Sequence, residues 1–317
     1  MQEVQEPPSA PSGRQFVIGD ERATATVTEV GAGLRVLEID GEAVLWPYPV
    51  GELASGGRGQ VLAPWPNRIE DGAYSFGGVQ AQAALDEPDR RNAIHGLVRW
   101  LNFDVDEQAR SSVVLSCVLA AQPAFPWRLR LRMRYEVVDG ALVVTASATN
   151  ESATAAPFGM GAHPYLHAGA GGVDGCTLTL AADRRLVLDG RGIPTGSTEV
   201  VGTACDFSTG GTLAGVRLDD CFTGLRAAAP GPSMRDGAAW EAVLTTAAGR
   251  RSALWADHAW PYVMCYTGDT LAAGEQRLGV AIEPMTCPPN AFRSGESVIT
   301  LPAGGSWEGR FGIRLVD

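Results

Sequence analysis

The feature that most constrains this chain is a strict alternation of apolar and charged residues in short segments. From Leu129 to Val137 the sequence reads LRLRMRYEV, which places the apolar side chains on one face and the charged ones on the other. A period of two is the repeat of a β-strand, and no long segment shows the 3.6-residue spacing of an amphipathic helix. The pair Asp139-Gly140 then leads into the apolar run 141–145. Because Asp-Gly tolerates positive φ, this arrangement predicts a two-stranded hairpin.

The same pattern recurs along the rest of the chain. A second Asp-Gly pair, at positions 40 and 41, joins predicted strands at 34–39 and 42–46, and 39 glycines and 20 prolines supply further turns. The other predicted strands are 24–30, 74–76, 113–119, 177–181, 186–188, 242–246, 253–255, 263–266, 298–301 and 309–315. So many half-buried strands imply antiparallel sheets packed face to face. We therefore expect an all-β protein, in which residues 15–317 form one large single-domain antiparallel β-sandwich after a flexible tail over residues 1–14.

Charge and composition exclude several classes of function. The chain has 25 basic and 36 acidic residues, a net charge of −11, so neither nucleic acid nor an anionic membrane is an expected partner. All 25 basic residues are arginine, because the sequence contains no lysine. This excludes Schiff-base enzymes, pyridoxal-phosphate enzymes and P-loop proteins. The six cysteines form no Cys-x-x-Cys pair, and no apolar leader or membrane span is visible, which predicts a cytoplasmic protein.

Four histidines are the first candidates for proton transfer, because imidazole exchanges protons near neutral pH. His163 stands in GMGAHPYL and His95 in NAIHG, both contexts of irregular backbone. For either one, a hydrogen-bonded structural histidine is the commoner role. His163 and His167 have the spacing of a helical metal pair, but Pro164 disfavours a helix, so no metal site is expected. His258 is interpreted as a solvated turn residue.

Three charged residues have both a functional and an ordinary interpretation. Glu283 follows the apolar run LGVAI and precedes a proline, so partial burial could tune it into a base, although position alone favours an ordinary strand-end carboxylate. Asp219 stands beside Asp220, either in a solvated turn or as a carboxylate that binds sugar hydroxyls. Arg68 lies on a proline-rich loop, either aimed at a ligand oxygen or as a surface charge near Glu70. The sequence shows no nucleophile elbow, no dinucleotide-binding motif and no set of metal ligands. The chemistry that remains is acid–base catalysis that needs no cofactor.

Six short segments carry most of these candidate residues, in this order: LAPWPNRI (62–69), NAIHG (92–96), FGMGAHPYL (158–166), LDDCF (218–222), YTG (266–268) and IEPMTCPPNAF (282–292). Taken together, and in this order, these segments resemble the aldose 1-epimerase, or galactose mutarotase-like, family. The resemblance covers nearly all of the chain after the tail and implies the β-supersandwich fold, in agreement with the strand prediction. It also implies an isomerase that interconverts the α and β anomers of a free aldose without a cofactor.

The resemblance also implies roles for individual residues. Glu283 matches the general base, and His163 matches the general acid, which we expect to be charged. We further expect Trp65 to cover an apolar face of the sugar ring. Met264 stands where the family commonly has glutamine, which would remove a sugar hydrogen bond and leaves galactose preference open. The residues implied to bind the sugar are Asn67, Arg68, His95, Tyr165 and Asp219.

Two alternatives remain open at this point. One is a hexose-6-phosphate 1-epimerase, for which Arg68 and Arg99 are the available phosphate donors. The other is a sugar-binding protein with the same β-sandwich fold that does not catalyse a reaction, because one fold can host unrelated functions. The sequence does not identify the aldose, and we expect a monomer or a homodimer.

Overall fold

Strands joined by turns and loops are the main secondary structure of the computed structural model, which describes residues 10–226 and 237–316. Up to residue 150 the strands are β1 Gln15–Gly19, β2 Ala23–Thr28, β3 Leu34–Ile39, β4 Glu42–Ala43, β5 Val61–Leu62, β6 Arg68–Glu70, β7 Ala73–Phe76, β8 Val79–Gln82, β9 Asn92–Ile94, β10 Asp104–Gln108, β11 Ser112–Leu119, β12 Leu129–Val138 and β13 Ala141–Asn150. Beyond it they are β14 Ala156–Phe158, β15 Gly161–Ala162, β16 Tyr165–His167, β17 Thr177–Leu180, β18 Arg184–Leu188, β19 Pro194–Glu199, β20 Gly211–Thr212, β21 Asp219–Thr223, β22 Trp240–Thr245, β23 Arg251–Ala256, β24 Tyr262–Tyr266, β25 Gly279–Met285, β26 Ile299–Leu301 and β27 Ser306–Val316. The helical segments are α1 Ala291–Ser294 and 3₁₀ turns at Ser55–Gly57, Pro88–Arg90 and Val173–Gly175.

The two largest sheets are antiparallel and have nine and eight strands. The nine-stranded sheet has the order β10-β11-β12-β13-β27-β23-β22-β17-β20. The eight-stranded sheet has the order β19-β18-β21-β24-β25-β15-β5, with β16 also paired to β25. A four-stranded sheet, β1 to β4, and three two-stranded ribbons complete the architecture. This arrangement confirms the predicted all-β, antiparallel fold class.

Both predicted Asp-Gly hairpins form as expected. Asp139 and Gly140 have φ values of 52° and 70°, and Asp40 and Gly41 have 52° and 79°, the left-handed backbone that a two-residue hairpin turn requires. From Leu129 to Val137 of β12 the apolar side chains are buried and the charged ones between them are partly or fully exposed, as the alternation predicts. In the hairpin that turns at Asp40-Gly41, the strand predicted over 42–46 is shorter than expected, because only Glu42–Ala43 pairs with β3.

The main hydrophobic core lies between the large sheets and decides which face of each strand is free for function. It extends from Phe16 to Ile313 and takes residues from strands of both sheets. In β25, Val280 and Ile282 join this core. Because successive side chains of a strand point to opposite faces, Glu283 is directed to the other face of the eight-stranded sheet. The alternation that builds the core thus also places the candidate base outside it.

The predicted tail falls only partly within the described residues, since 1–9 lie outside them. The remaining part is attached to the fold: Ser12 is buried, and Arg14 donates from Nε to Glu29 Oε1 at 2.9 Å. Over residues 10–226 and 237–316 we find no helix with the length and apolar character needed to cross a membrane.

Candidate active site

A polar cavity of about 520 Å³ opens on the face of the eight-stranded sheet that carries Glu283. Strands of this sheet supply its floor, and the loops around them supply its walls. Six of the seven residues singled out from the sequence line it, namely Asn67, Arg68, His95, His163, Asp219 and Glu283. The structure therefore gathers side chains that are up to 216 positions apart, from Asn67 to Glu283, around one hollow.

Glu283 and His163 are directly opposed in this cavity. Glu283 Oε1 lies 3.3 Å from His163 Nε2, and the two side chains are only 3% and 5% exposed. The second carboxylate oxygen, Oε2, is buried and has no hydrogen-bond partner among the described residues. A buried polar atom without a hydrogen-bond partner lowers the stability of the folded protein. Oε2 is therefore available to accept a hydrogen bond from a ligand hydroxyl.

Burial moves both groups of this pair toward their neutral forms. It lowers the pKa of His163 to about 3. It raises the pKa of Glu283 well above its usual value, with a further upward contribution from Asp219 and an opposing one from Arg68. Groups this close titrate as a unit, and between the two pKa values the pair holds one proton. The expectation that His163 is charged is therefore wrong for the free protein, because the imidazolium would have to form without water around it.

A break in strand pairing positions His163. Gly161 and Ala162 form β15, the strand resumes at Tyr165 as β16, and both segments pair with β25. Pro164 in the gap has no N–H to donate, but its carbonyl accepts from Ile282 N at 3.1 Å. His163 itself pairs with the neighbouring loop, donating from its N–H to Gln60 O at 3.0 Å. The irregular backbone predicted from the glycines and the proline is thus the feature that turns this histidine toward β25.

His95 and Asn67 stand on two segments that meet through a backbone contact. Both residues adopt left-handed φ values, 64° for His95 and 54° for Asn67. The N–H of Asn67 donates to His95 Nδ1 at 3.3 Å, and His95 N donates to Asn67 O at 2.8 Å. Burial lowers the pKa of His95 well below its usual value, with His163 and the nearby arginines adding to the shift. A neutral imidazole that accepts at Nδ1 carries its proton on Nε2, so His95 can donate to a ligand oxygen.

Arg68 is a buried charge and not a surface residue near Glu70. Its Nε and Nη2 donate to the two oxygens of Glu87 at 2.9 and 3.0 Å. Asn92 also donates to Glu87, at 2.8 Å, which holds the carboxylate in place. This bidentate pair fixes the plane of the guanidinium beside the cavity. Sequence reasoning missed Glu87, because no local signal links it to an arginine 19 positions away.

Asp219 begins β21 and presents its carboxylate at the cavity. It is the most accessible of the predicted site residues, with 41% of its side chain exposed, and it lies 3.8 Å from Arg68 Nη2 and 3.6 Å from Arg90 Nη1. Asp220, by contrast, pairs with Arg185 at 2.7 Å. The interpretation of this Asp-Asp pair as a solvated turn is wrong, because both residues lie in a strand. Asp219 faces the cavity, where its carboxylate can accept hydrogen bonds from a ligand.

Two aromatic residues lie elsewhere than expected. Tyr165 is 1% exposed and stands behind His163, with its ring stacked on the imidazole at 5.0 Å and its hydroxyl donating to Gly56 O at 2.8 Å. It therefore supports His163 and does not reach the cavity. Trp65 is packed in the core against Tyr74 and Phe292, so it cannot cover a sugar ring. The tryptophan at the cavity is Trp100, 52% exposed, which sequence reasoning missed although it lies only five positions after His95.

Met264 lies on β24 directly opposite Glu283 of β25. It is 1% exposed and packs with Cys221, Tyr262 and Met285. Cross-strand partners share a face of the sheet, so this cluster forms an apolar floor beside the carboxyl group. The floor is one source of the burial that raises the pKa of Glu283.

The residues considered as metal ligands do not form a metal site among the described residues. His167 lies on β16, and its Nδ1 accepts from Gly169 N at 2.8 Å. In the part of the chain that the structure describes, no three His, Cys, Asp or Glu side chains are grouped so that they could hold a metal ion.

A large antiparallel sandwich with a buried carboxylate–imidazole pair in a polar cavity defines a protein of the galactose mutarotase-like class. Comparison with protein families gives the more particular assignment: the family model described as aldose 1-epimerase matches residues 14–314, and the chain belongs to this family.

Individual proteins are similar to this chain over most of its length. The chain is 33% identical over 282 residues to the uncharacterized protein YihR of Escherichia coli K12, covering 88% of this chain and 86% of that protein. Among solved structures, a GalM/aldose epimerase homologue from C. elegans superposes with a TM-score of 0.82 at 18% identity, covering 96% and 98% of the two chains. Galactose 1-epimerase from Lactobacillus acidophilus superposes with a TM-score of 0.76 at 20% identity, covering 94% and 92%. At these identities the structures establish the shared fold.

Proposed function

We propose that this protein is an aldose 1-epimerase, which interconverts the α and β anomers of a free monosaccharide by opening and closing its ring. The observation that carries the proposal is the separation of 3.3 Å between Glu283 Oε1 and His163 Nε2 at the floor of the cavity. In a pyranose the C1 hydroxyl and the ring oxygen are bonded to the same carbon. Two proton-exchanging groups this close can therefore serve both oxygens of one sugar.

The one proton shared by the pair is sufficient for the reaction. Burial places this proton on Glu283 in the free protein, so the mechanism requires it to pass to His163 Nε2 when the sugar binds. The ionised Glu283 then takes the C1 hydroxyl proton while His163 protonates the ring oxygen. The bond from C1 to the ring oxygen breaks as the C1 carbonyl forms. After rotation about the C1–C2 bond, Glu283 returns its proton to the carbonyl oxygen and His163 removes the proton from the 5-hydroxyl, which closes the ring on the other face. Each proton-transfer group contributes about 10²–10⁴-fold in rate.

The other polar groups would hold and orient the sugar. Arg68, fixed by Glu87, favours the ionised form of Glu283, because a nearby positive charge opposes the effect of burial. His95 and Asn67 offer side-chain donors and acceptors, and Asp219 offers an accessible carboxylate. Trp100, at the cavity, can pack against an apolar sugar face. None of these roles needs a metal ion or an organic cofactor.

Polarimetry of freshly dissolved α-aldoses tests the proposal. We expect the protein to accelerate the approach to anomeric equilibrium for at least one neutral hexose or pentose in a panel that includes glucose and galactose. If optical rotation decays no faster than in buffer for every sugar, neutral or phosphorylated, while equilibrium dialysis shows that a sugar binds, the protein is a sugar-binding member of the fold and the proposed activity is wrong.

The placement of Arg99 favours a second candidate substrate, a hexose 6-phosphate. Arg99 lines the same cavity as Arg68 and Arg90 and pairs with Asp86 at 2.9 Å, and its buried Nε has no hydrogen-bond partner in the described part of the chain. Three guanidinium groups around one cavity could bind a phosphate. We expect the panel to separate the two cases: a much higher kcat/KM for 6-phosphorylated than for neutral sugars would assign the phosphate-specific activity. The cytoplasmic location, the single domain and the monomeric or homodimeric state stay predictions.

The proposed pair predicts an unusual pH profile. An unperturbed histidine titrates near ~6.5, but burial lowers the pKa of His163 to about 3. After subtraction of the spontaneous rate, kcat/KM should therefore be flat from about pH 5 to 7, where an ordinary histidine would change its charge. Because the pKa of Glu283 is raised, the pair loses its shared proton only when the pH exceeds that raised pKa, and activity should fall there. An inflection near ~6.5 that disappears in His163→Asn would contradict this assignment.

A further inference from the structure

The imidazole of His163 lacks the usual means of orientation. The two ring nitrogens of a catalytic histidine commonly divide their roles, one reacting and the other held by a hydrogen bond. Nε2 of His163 faces Glu283, but Nδ1 is buried and finds no hydrogen-bond partner outside its own residue in the described chain. The ring orientation must therefore come from packing.

Two neighbours supply this packing. Tyr165 stacks on the imidazole with its ring centroid 5.0 Å away and an interplanar angle of 11°. The backbone of Gly57 closes the ring edge so tightly that a Cβ on it would lie 2.6 Å from His163 Cδ2 and 3.0 Å from Nε2. The position of Nε2 therefore depends on where the 55–58 loop and the Tyr165 ring are held.

Both neighbours are held by one group of side chains, which we call the Arg58 clasp and which consists of Ser55, Arg58 and Glu275. Arg58 Nη2 donates to Ser55 Oγ and, at 2.7 Å, to Glu275 Oε1. Ser55 Oγ lies 3.0 and 2.9 Å from the two oxygens of Glu275. Arg58 Nη1 also donates to Pro47 O at 3.0 Å. The clasp thus joins the loop that carries Gly57 to a distant loop that precedes β25.

The clasp also supports Tyr165 through an aromatic contact. The Arg58 guanidinium lies 3.6 Å from the centroid of the Trp46 ring, and Trp46 meets Tyr165 edge to face at 5.6 Å. The Tyr165 hydroxyl returns to the same loop by donating to Gly56 O at 2.8 Å. The contacts therefore run from Arg58 through Trp46 and Tyr165 to His163, and a shorter route runs through Gly57. Neither Arg58 nor Glu275 lines the cavity.

We propose that the Arg58 clasp is the positioning device for His163, and that Arg58 and Glu275 set the imidazole orientation needed for proton transfer without touching the sugar. The inference rests on the proposed function, in which His163 is the general acid. Glu275 is the better residue to test. Its side chain is 27% exposed, so water can replace its contacts, whereas that of Arg58 is only 5% exposed.

Glu275→Ala should lower kcat about tenfold and change KM by less than about twofold. A displacement of 1 Å in a reacting group costs on the order of 10²-fold, and here only one of the supports of the ring is removed. Glu275→Gln keeps an acceptor for Ser55 and Arg58 and should restore most of kcat. The matched control is Glu107→Gln, an exposed carboxylate paired with Arg132 at 2.7 Å, which should leave both constants unchanged. Unchanged kcat in Glu275→Ala, or a loss that appears only in KM, would overturn the proposal.

A second measurement does not depend on catalysis. Long-range ¹H–¹⁵N spectra report the ring nitrogens of the four histidines, and His163→Asn assigns the His163 signals. In Glu275→Ala we expect these signals to shift or broaden, while those of His258, exposed in a turn, stay in place. Unmoved His163 signals in a folded variant would refute the clasp, even if the wild-type protein proved inactive on every sugar. An inactive wild type with shifted His163 signals would instead refute the proposed function and leave the clasp standing.

Discussion

Glu283→Gln is expected to abolish nearly all enzyme-accelerated mutarotation, lowering kcat by about 10²–10⁴-fold. Glutamine matches glutamate in size and polarity but cannot take a proton from the C1 hydroxyl. The fold should survive, because the Glu283 carboxyl lies beside His163 and no arginine among the described residues is within ion-pair distance of it. Polarimetry on the best aldose of the panel measures the loss, and thermal unfolding checks the fold.

The same substitution at Glu107, on exposed β10, provides the control for this variant. It should leave both activity and melting temperature unchanged. A Glu283→Gln protein as active as the wild type would remove this carboxylate from the role of base. A Glu283→Gln protein that fails to fold would be replaced by Glu283→Ala for the same measurement.

His163→Asn is the second substitution with a large expected effect, again about 10²–10⁴-fold in kcat. Asparagine keeps a polar group near Glu283 but cannot carry a proton to the ring oxygen. The matched comparison is His95→Asn in the same cavity, which we expect to act mainly through KM, because His95 is assigned to sugar binding. Equal losses of kcat in the two variants would contradict the separate roles.

The double variant Glu283→Gln, His163→Asn tests whether the two residues act as one unit. Residues that share a proton should show strongly non-additive effects, so the double variant should be about as slow as the slower single one. If the two losses multiply instead, the groups act in independent steps and the shared-proton mechanism is wrong.

Much of the fold followed from local pattern. The alternation in β12 and the Asp-Gly pairs at 40–41 and 139–140 depend only on neighbouring residues, so strand and turn could be predicted together. Strand ends were less predictable, as the shortened β4 shows, because pairing depends on what the partner strand offers. The site candidates came from short motifs, and six of the seven line one cavity.

Other features could not be predicted because they are long-range. Whether Tyr165 or Trp65 faces the cavity depends on which element covers each ring, and both prove to be covered. The Arg68–Glu87 pair and the Arg58 clasp join residues 19 and 217 positions apart, and neither leaves a pattern in the sequence.

The sequence by itself determined the all-β architecture, the absence of lysine chemistry and the set of polar residues from which the site is made, because each depends on composition or on a few adjacent residues. The tertiary structure alone decided how those residues are charged and oriented. Burial beneath the loops sets the protonation of Glu283 and His163, since the free energy of a charge depends on the water and partners around it and not on the order of residues.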